Sequence, residues 1–251
     1  LSGGAHIAEH LTPKEYNTLS KSKDVSVVGV QGNENMFMIL NFKSPPFDNP
    51  LVRQAIAHAV PYQKIIDTSY FGKAHKWAGF VPSTYPGFHV ASTQYDYDPE
   101  KAKALLAEAG YPGGAGLEAF PESFKLTYML ERESELGPTA TIIHTALRDV
   151  GINVQLDPIP QAQYGDRELV KKDLPMGLTA HVKPIGVDAA YGTLLSYVSA
   201  HMGGILNSSN YSSEVVDGTL YGSLAEGNND KRNEMLALIQ EQLMTDLAVV
   251  P

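Results

Sequence analysis

The sequence predicts an α/β fold that contains parallel pairs of strands. Residues 124 to 182 alternate between strand and helix patterns, as in βαβ units. Hydrophobic residues make up 43% of the chain and charged residues 19%, which is typical of a folded domain with a full core. Several helix starts also carry capping residues followed by proline. Together these observations predict a packed sheet and helices rather than a disordered chain.

The composition excludes several classes of protein. The 251 residues carry a formal net charge of −9 without a basic patch, so nucleic-acid binding is not expected. No apolar run reaches the roughly 20 residues of a membrane-spanning helix. The chain has no cysteine, which excludes disulfides, thiolate zinc sites and cysteine nucleophiles. A lack of cysteine suits a periplasmic protein but is also found in many cytosolic ones.

The first part of the chain predicts a short helix, two strands and two further helices. Thr12-Pro13 starts the first helix with a capping hydroxyl and a proline. Val25–Val30 and Met36–Phe42 are rich in β-branched and apolar residues and are predicted as strands. Asp48 or Asn49 is expected to cap a helix that opens at Pro50.

A long loop and a well-marked helix follow. Residues 73 to 96 show little periodicity and contain Trp77 and Tyr85 among prolines and glycines. Loops of this length are often functional. Asp98-Pro99 then places a capping carboxylate before proline at a helix start, and Gly110 ends that helix.

The remainder alternates between strands and helices. The predicted strands are Phe124–Leu130, Ile152–Ile159 and Met176–Val182. The predicted helices are Pro138–Val150, Gln161–Lys171, 189–200, 211–222 and 229–246, and a truncated strand closes the chain at 247–251.

Three ordered segments resemble one family. They are Pro45-Pro-Phe-Asp-Asn-Pro-Leu-Val-Arg-Gln-Ala-Ile-Ala-His-Ala59, Asp98-Pro-Glu-Lys-Ala-Lys-Ala-Leu-Leu-Ala-Glu-Ala-Gly-Tyr-Pro112 and Ala146-Leu-Arg-Asp-Val-Gly-Ile-Asn-Val154. Each segment alone is mostly a capping pattern, but their order and spacing are specific. Together they resemble the family 5 extracellular solute-binding proteins of bacterial dipeptide, oligopeptide and nickel ABC importers. The chain is similar to the second half of such a protein.

The resemblance implies a fold, a function and a set of partners. The expected fold is one lobe of a type II periplasmic-binding-protein architecture, with a mixed sheet flanked by helices. Residues 1–40 would be hinge and remnant of the other lobe, 41–246 the ligand-binding lobe and 247–251 a returning hinge strand. The protein would be a monomer without cofactor or enzymatic activity. It would capture peptides or similar solutes for an ABC permease, in a periplasmic or extracellular location, with a lipid anchor as an open option.

The resemblance also implies candidate ligand-binding residues. Asp188 would pair with the ammonium group of a peptide, beside Gly186 and Tyr191, although Asp188 is equally suited to capping the helix at 189. Arg132 would bind the carboxylate of the peptide through its planar fork. The acidic residues on either side of Arg132 favour the alternative of a solvated surface arginine.

Two rival functions remain in view. His6-Ile-Ala-Glu-His10 matches the H-x-x-E-H pattern of a class of zinc proteases. Glycines at 3 and 4 and Pro13 argue against the long helix that such a site needs. The second rival is a solute-sensing domain that serves no permease, and sequence alone does not distinguish it from a transport protein.

Overall fold

The structure is a computed structural model that describes residues 4, 6–9, 11–30, 32, 34–182, 188–199, 201 and 204–251. Its strands are β1 (Glu34–Leu40), β2 (Lys125–Met129), β3 (Gln155–Ile159) and β4 (Met176–Val182). Its helices are α1 (Pro13–Leu19), α2 (Pro50–Ala59), α3 (Tyr62–Ser69), α4 (Pro99–Glu108), α5 (Glu133–Asp149), α6 (Gln161–Gly165), α7 (Ala189–Ser196), α8 (Glu214–Ala225) and α9 (Asn229–Asp246).

The four described strands form one mixed sheet in the order β1-β4-β2-β3. β2 pairs in parallel with both β3 and β4, whereas β1 pairs antiparallel with β4 along its whole length. The carboxyl ends of β2, β3 and β4 therefore share one edge of the sheet with the start of β1. This arrangement confirms the predicted α/β class with a mixed sheet and flanking helices.

Local capping chemistry sets where several helices begin. At α1, Thr12 and Glu15 form a capping box in which each side chain accepts from the other residue's backbone N–H. Asn49 accepts from the backbone N–H of Leu51 at 2.9 Å and starts α2 at Pro50. Asp98 caps α4 in the same manner. These starts agree with the sequence, because a cap acts within a few residues of the helix.

The core lies between the sheet and the helices that cross it. α5 packs on β2, β3 and β4, and it contacts α2 and α3. β1 buries its last four residues and β2 its middle three. Fully buried side chains include Ile39, Leu40, Leu126 and Leu147. Burial of this apolar area supplies the main driving force for the fold.

Arg53 joins the start of α2 to the end of α9. Its side chain is 4% exposed, and Nη1 donates to the backbone oxygens of Phe47 at 2.8 Å and Asp48 at 3.1 Å. Nε and Nη2 donate to the Asp246 backbone oxygen at 3.2 and 2.9 Å. The guanidinium also lies 3.9 Å from the ring centroid of Phe42, just after β1. One side chain thus connects the segment between β1 and α2 to the end of α9, 193 positions away.

Some predicted element bounds were wrong. Val25–Val30 forms no strand, and Val28 and Val30 are exposed, because β-forming residues need a partner strand to pair with. α5 starts five residues before Pro138, so packing against the sheet outweighs the hydrogen bond that proline removes. The predicted helix at 211–222 lies at Glu214–Ala225, capped by Ser213.

The predicted division into hinge and lobe stays a prediction. β1 lies entirely within residues 1–40, which are assigned to the hinge and a remnant of the other lobe, and it pairs with β4 at seven positions. Near the end of the chain, Val250 forms a bridge with Met38 through two backbone hydrogen bonds of 2.8 and 2.9 Å.

Replacing Arg53 by alanine is expected to lower the free energy of unfolding by about 3 kcal/mol, because several buried carbonyl groups lose their donor. Urea unfolding measures the change. Arg148→Ala, at an exposed position in the last turn of α5, is the matched control and should change stability by less than about 0.5 kcal/mol. Equal effects of the two substitutions would contradict the role assigned to Arg53.

Candidate functional site

A cluster of charged side chains lies where the carboxyl ends of the parallel strands meet. Arg132 follows β2, Glu135 lies in the first turn of α5, and Glu34 begins β1. Nη2 of Arg132 lies 2.6 Å from Glu135 Oε1 and 2.9 Å from Glu34 Oε1. Nε donates to Glu135 Oε2 at 2.9 Å. We call these three residues the charge cluster.

The charge cluster holds Arg132 firmly in place. Its Nη1 donates to the backbone oxygen of Ala180 in β4 at 2.9 Å, in addition to the contacts with Glu34 and Glu135. Burial opposes the charge of Arg132, but the hydrogen bonds and charges of Glu135 and Glu34 outweigh it and raise the pKa of Arg132. Arg132 is therefore a charged group with four hydrogen bonds inside the protein, not a freely solvated arginine.

A cavity of about 370 Å³ lies beside the charge cluster, and Glu34 and Glu135 line it. β1 and β4 contribute Met36 and Leu178 to its wall. Other lining side chains are Tyr70, Trp77 and Thr139, from the end of α3, the loop at 73–96 and α5. The cavity thus combines an apolar and aromatic wall with a charged edge, as ligand pockets do.

Tyr70 shows the electrostatic character of this wall. Its hydroxyl donates to the sulfur of Met36 at 3.4 Å. Burial, followed by the negative charge of Glu135, raises the pKa of Tyr70 well above the usual value. Tyr70 therefore stays a neutral hydroxyl that is able to donate or accept a hydrogen bond in the cavity.

The loop at 73–96, which we call the aromatic loop, is fastened to α9. Gln240 Nε2 donates to the backbone oxygen of Gly87 at 2.8 Å, and the backbone N–H of His89 donates to Gln240 Oε1 at 3.1 Å. His89 Nε2 lies 2.7 Å from Glu241 Oε1. The Ser92 hydroxyl donates to Glu241 Oε2 at 2.7 Å.

Trp77, the chain's single tryptophan, is packed by neighbouring aromatic rings at the other end of this loop. Its ring centroid lies 6.1 Å from that of Phe37 and 5.7 Å from that of Phe80, and the Phe80 ring packs edge-on against Tyr197. The polar anchor on α9 and this aromatic contact together hold the loop against the cavity. The sequence indicated a functional loop here but not what fastens it.

Asp188 does not line the cavity. It caps α7, accepting from the backbone N–H of Ala190 at 2.8 Å, which confirms the capping alternative. Both of its carboxylate oxygens also lie 2.8 Å from Nη2 of Arg232 in α9. Tyr191, three residues into α7, is 46% exposed. Gly186 lies outside the described residues.

The sequence therefore found one part of this site and missed others. It singled out Arg132 as a candidate and the loop that carries Trp77 as functional; Arg132 lies beside the cavity and Trp77 lines it. Glu34, Glu135 and Tyr70 were not candidates. The acidic neighbours of Arg132 were visible in Glu131-Arg-Glu-Ser-Glu135, but the contact with Glu34 joins residues 98 positions apart. Local patterns carry no signal for such a contact.

The zinc-protease pattern gains no support from the structure. His6 and Glu9 are exposed, and His10 lies outside the described residues. Among the residues that the structure describes, no group of three or more histidine, aspartate and glutamate side chains is arranged to hold a metal ion. Within the same residues, no helix is both long and apolar enough to cross a membrane.

Comparison with known sequences identifies a family. A sequence model described as bacterial extracellular solute-binding proteins, family 5 Middle, matches residues 1–201. A glutathione-binding protein of Salmonella choleraesuis is 32% identical over 113 residues, which cover 45% of this chain and 22% of the relative. Heme-binding protein A of Haemophilus influenzae is 40% identical over 90 residues, covering 36% of this chain and 16% of the relative.

Comparison with solved structures agrees. The periplasmic binding protein DppA of Helicobacter pylori, solved in complex with the peptide STSA, superimposes with a TM-score of 0.83 at 26% identity. The similarity covers 96% of this chain and 45% of the DppA chain, so this chain spans less than half of that protein. The fold is accordingly that of one lobe of a type II periplasmic binding protein.

Replacing Glu241 by alanine should loosen the aromatic loop, because His89 and Ser92 lose their shared acceptor. We expect acrylamide to quench Trp77 fluorescence more strongly in this variant, with a local destabilisation of about 1 kcal/mol. Glu234→Ala, at an exposed position on the same helix, is the control and should leave quenching unchanged.

The same variant gives an expected pH dependence. Burial raises the pKa of Glu241, but hydrogen bonds from His89 and Ser92 outweigh burial and leave it below the usual 4.5. Because this pKa is lowered, the contacts of ionised Glu241 with His89 and Ser92 are fully formed above pH 4.5. They are lost as pH falls through the lowered pKa. The quenching difference between wild type and Glu241→Ala should therefore close only below pH 4.5. If the quenching difference disappeared near neutral pH, ionised Glu241 would not be what fastens the aromatic loop.

Proposed function

The chain belongs to the bacterial extracellular solute-binding proteins of family 5, and from this premise we propose that it captures peptides or similar small solutes in the cavity beside the charge cluster. In this proposal the protein is the substrate-binding component of an ABC importer. The observation that supports it most directly is the position of the cavity, at the edge where the carboxyl ends of the parallel strands meet. In open α/β sheets, ligands bind outside the carboxyl ends of strands.

The size and lining of the cavity suit this role. A volume of about 370 Å³ lies within the range of small-molecule sites. Trp77 and Tyr70 offer aromatic surface, and Glu34 and Glu135 offer charge for fixing the orientation of a polar solute. Binding rather than catalysis agrees with the family, whose members are binding proteins and not enzymes.

The relatives support a polar organic solute. Two of them are named for binding glutathione and heme, and the H. pylori protein was solved with a peptide. Amide and carboxylate groups are common to glutathione and peptides, which makes peptides the first class to test.

The proposal includes a location and a partner. The protein would act in the periplasm or outside the cell, with a lipid anchor as an open option, and would deliver its solute as a monomer to an ABC permease. No role in nucleic-acid binding is proposed. A sensing function without a permease is the second candidate, and loss of solute uptake on deletion of the gene distinguishes the transport protein from the sensor.

The candidate residues predicted from the sequence have different roles in this proposal. Arg132 would act through Glu34 and Glu135, which it holds beside the cavity. Asp188, Gly186 and Tyr191 remain predicted ligand contacts. For Asp188 the prediction requires that a ligand compete with Arg232 for the carboxylate.

The experiment titrates the full-length protein with short peptides, glutathione and heme. Calorimetry measures binding, and the fluorescence change that is lost in Trp77→Phe reports on Trp77. Saturable binding of one class, with a change in Trp77 emission, would support the proposed function. A folded protein that binds none of these solutes would overturn it. Binding without any change in Trp77 fluorescence would indicate that the solute binds outside the cavity.

Filling the cavity gives a second test. Ala180 lines it from β4, so Ala180→Leu should occupy space that the solute needs and weaken binding at least about tenfold, or 1.4 kcal/mol. Thermal unfolding checks that the fold is retained. Ala104→Leu places the same side chain at an exposed position of α4 and should leave affinity unchanged. Equal affinities of wild type and Ala180→Leu would place the solute elsewhere.

A further inference from the structure

We infer that the cavity selects solutes with a cationic group, an ammonium or a guanidinium, and that Glu34 and Glu135 bind this group while Arg132 positions them. The inference rests on the proposed function and adds the charge of the substrate. It also reverses the expectation from sequence that Arg132 itself binds a carboxylate.

The first argument is the charge of the cluster. Two carboxylates and one guanidinium give a formal charge of −1 at the cavity edge. Arg132 already makes four hydrogen bonds, so few of its five N–H donors remain for a ligand. Each carboxylate, by contrast, has about four acceptor positions. The charge cluster therefore has more free hydrogen-bond acceptor positions than free donors.

The second argument concerns a buried hydroxyl in the same wall. Thr139 is 1% exposed and lines the cavity one turn along α5 from Glu135. Its hydroxyl lies beside that of Tyr70 but forms no hydrogen bond of standard geometry within the described part of the chain. Buried polar groups are normally hydrogen-bonded, so this unsatisfied hydroxyl in a residue of the cavity wall is a possible partner for a polar group of a ligand.

The third argument is the aromatic lining. The rings of Tyr70, Trp77 and Phe37 all line the cavity. Aromatic faces attract cations, and this attraction is larger when water is excluded. A cation bound by the carboxylates would lie in a cavity whose walls favour the same charge.

The positive side chains of the cavity do not cancel this preference. Lys76 is held by Asp96 at 2.7 Å and by the backbone oxygen of Tyr95. Lys73 is exposed and lies over the ring of Tyr16, with 5.9 Å between Nζ and the centroid. Both belong to the aromatic loop, whereas the carboxylates belong to the sheet edge. The lysine charges therefore lie on a different wall from the carboxylates, and the charge of Lys76 is balanced by Asp96.

The experiment compares three peptides on the full-length protein by calorimetry: trialanine, N-acetyl-trialanine, and N-acetyl-trialanine with arginine as its central residue. At least one of the two cationic peptides should bind at least about tenfold more tightly than N-acetyl-trialanine. The first peptide tests an ammonium as the cation and the third a guanidinium. Preference for either one supports the inference.

Variants then locate the effect. Glu34→Gln and Glu135→Gln should each weaken binding of the preferred cationic peptide about tenfold and leave N-acetyl-trialanine unchanged. Glu131→Gln is the matched control, because Glu131 is exposed, outside the cavity, and contacts the backbone N–H of Gln161 at 2.8 Å. Thermal unfolding identifies a variant that fails to fold, and the other glutamate then tests the inference alone.

The outcomes separate the two proposals. Peptides that bind with equal affinity whatever their charge, or that lose nothing in either glutamine variant, would overturn the charge preference and leave the proposed function standing. A folded protein that binds none of the peptides, glutathione or heme would overturn the proposed function and the charge preference with it.

Discussion

The antiparallel pairing of β1 with β4 is the constraint on which the candidate site depends. This pairing places Glu34 opposite Val182, so the first residue of β1 lies at the carboxyl end of β4. Parallel pairing of β4 with β2 brings Arg132 to the same edge. A slip of one residue in the register would turn Glu34 to the opposite face of the sheet. The charge cluster therefore exists only in this register.

Several contacts hold that register. Met38 in the middle of β1 bridges to Val250, and Arg53 fixes the chain just after β1 to the end of α9. α9 also fastens the aromatic loop through Gln240 and Glu241. One helix thus supports both the strand that carries Glu34 and the loop that carries Trp77. The cavity lies between these two supports, which explains how a chain without disulfides fixes its walls.

Much of the fold could be predicted because its signals are local. Caps at Asn49 and Asp98, together with the alternation of strands and helices after residue 124, depend on neighbours a few residues away. The candidate site depends instead on contacts between distant residues. Arg132 meets Glu34 across 98 positions, and Asp188 meets Arg232 across 44. Val25–Val30 forms no strand for the same reason. A strand needs a partner strand, and the partner cannot be identified from the strand's own residues.

A bound solute would make use of a sheet edge whose negative charges are already partly balanced within the protein. Arg132 neutralises part of the charge of Glu34 and Glu135 and so reduces the cost of keeping two carboxylates together beside an apolar cavity. The same arrangement leaves acceptor capacity for a ligand. Asp188, which caps α7, and Arg232 in α9 form a separate ion pair outside the cavity. The charge cluster and this ion pair define two alternative places where a charged solute would be bound.

The most direct test is photo-cross-linking of the full-length protein with a short peptide that carries a benzophenone group, followed by mapping of the modified residues. Binding in the cavity requires cross-links in residues 34–38 and 70–84, and competition by the unmodified peptide. Specific cross-links confined to α7 around Tyr191 and to α9 near Arg232 would contradict the account, because they would place the solute beside the ion pair of Asp188 and Arg232.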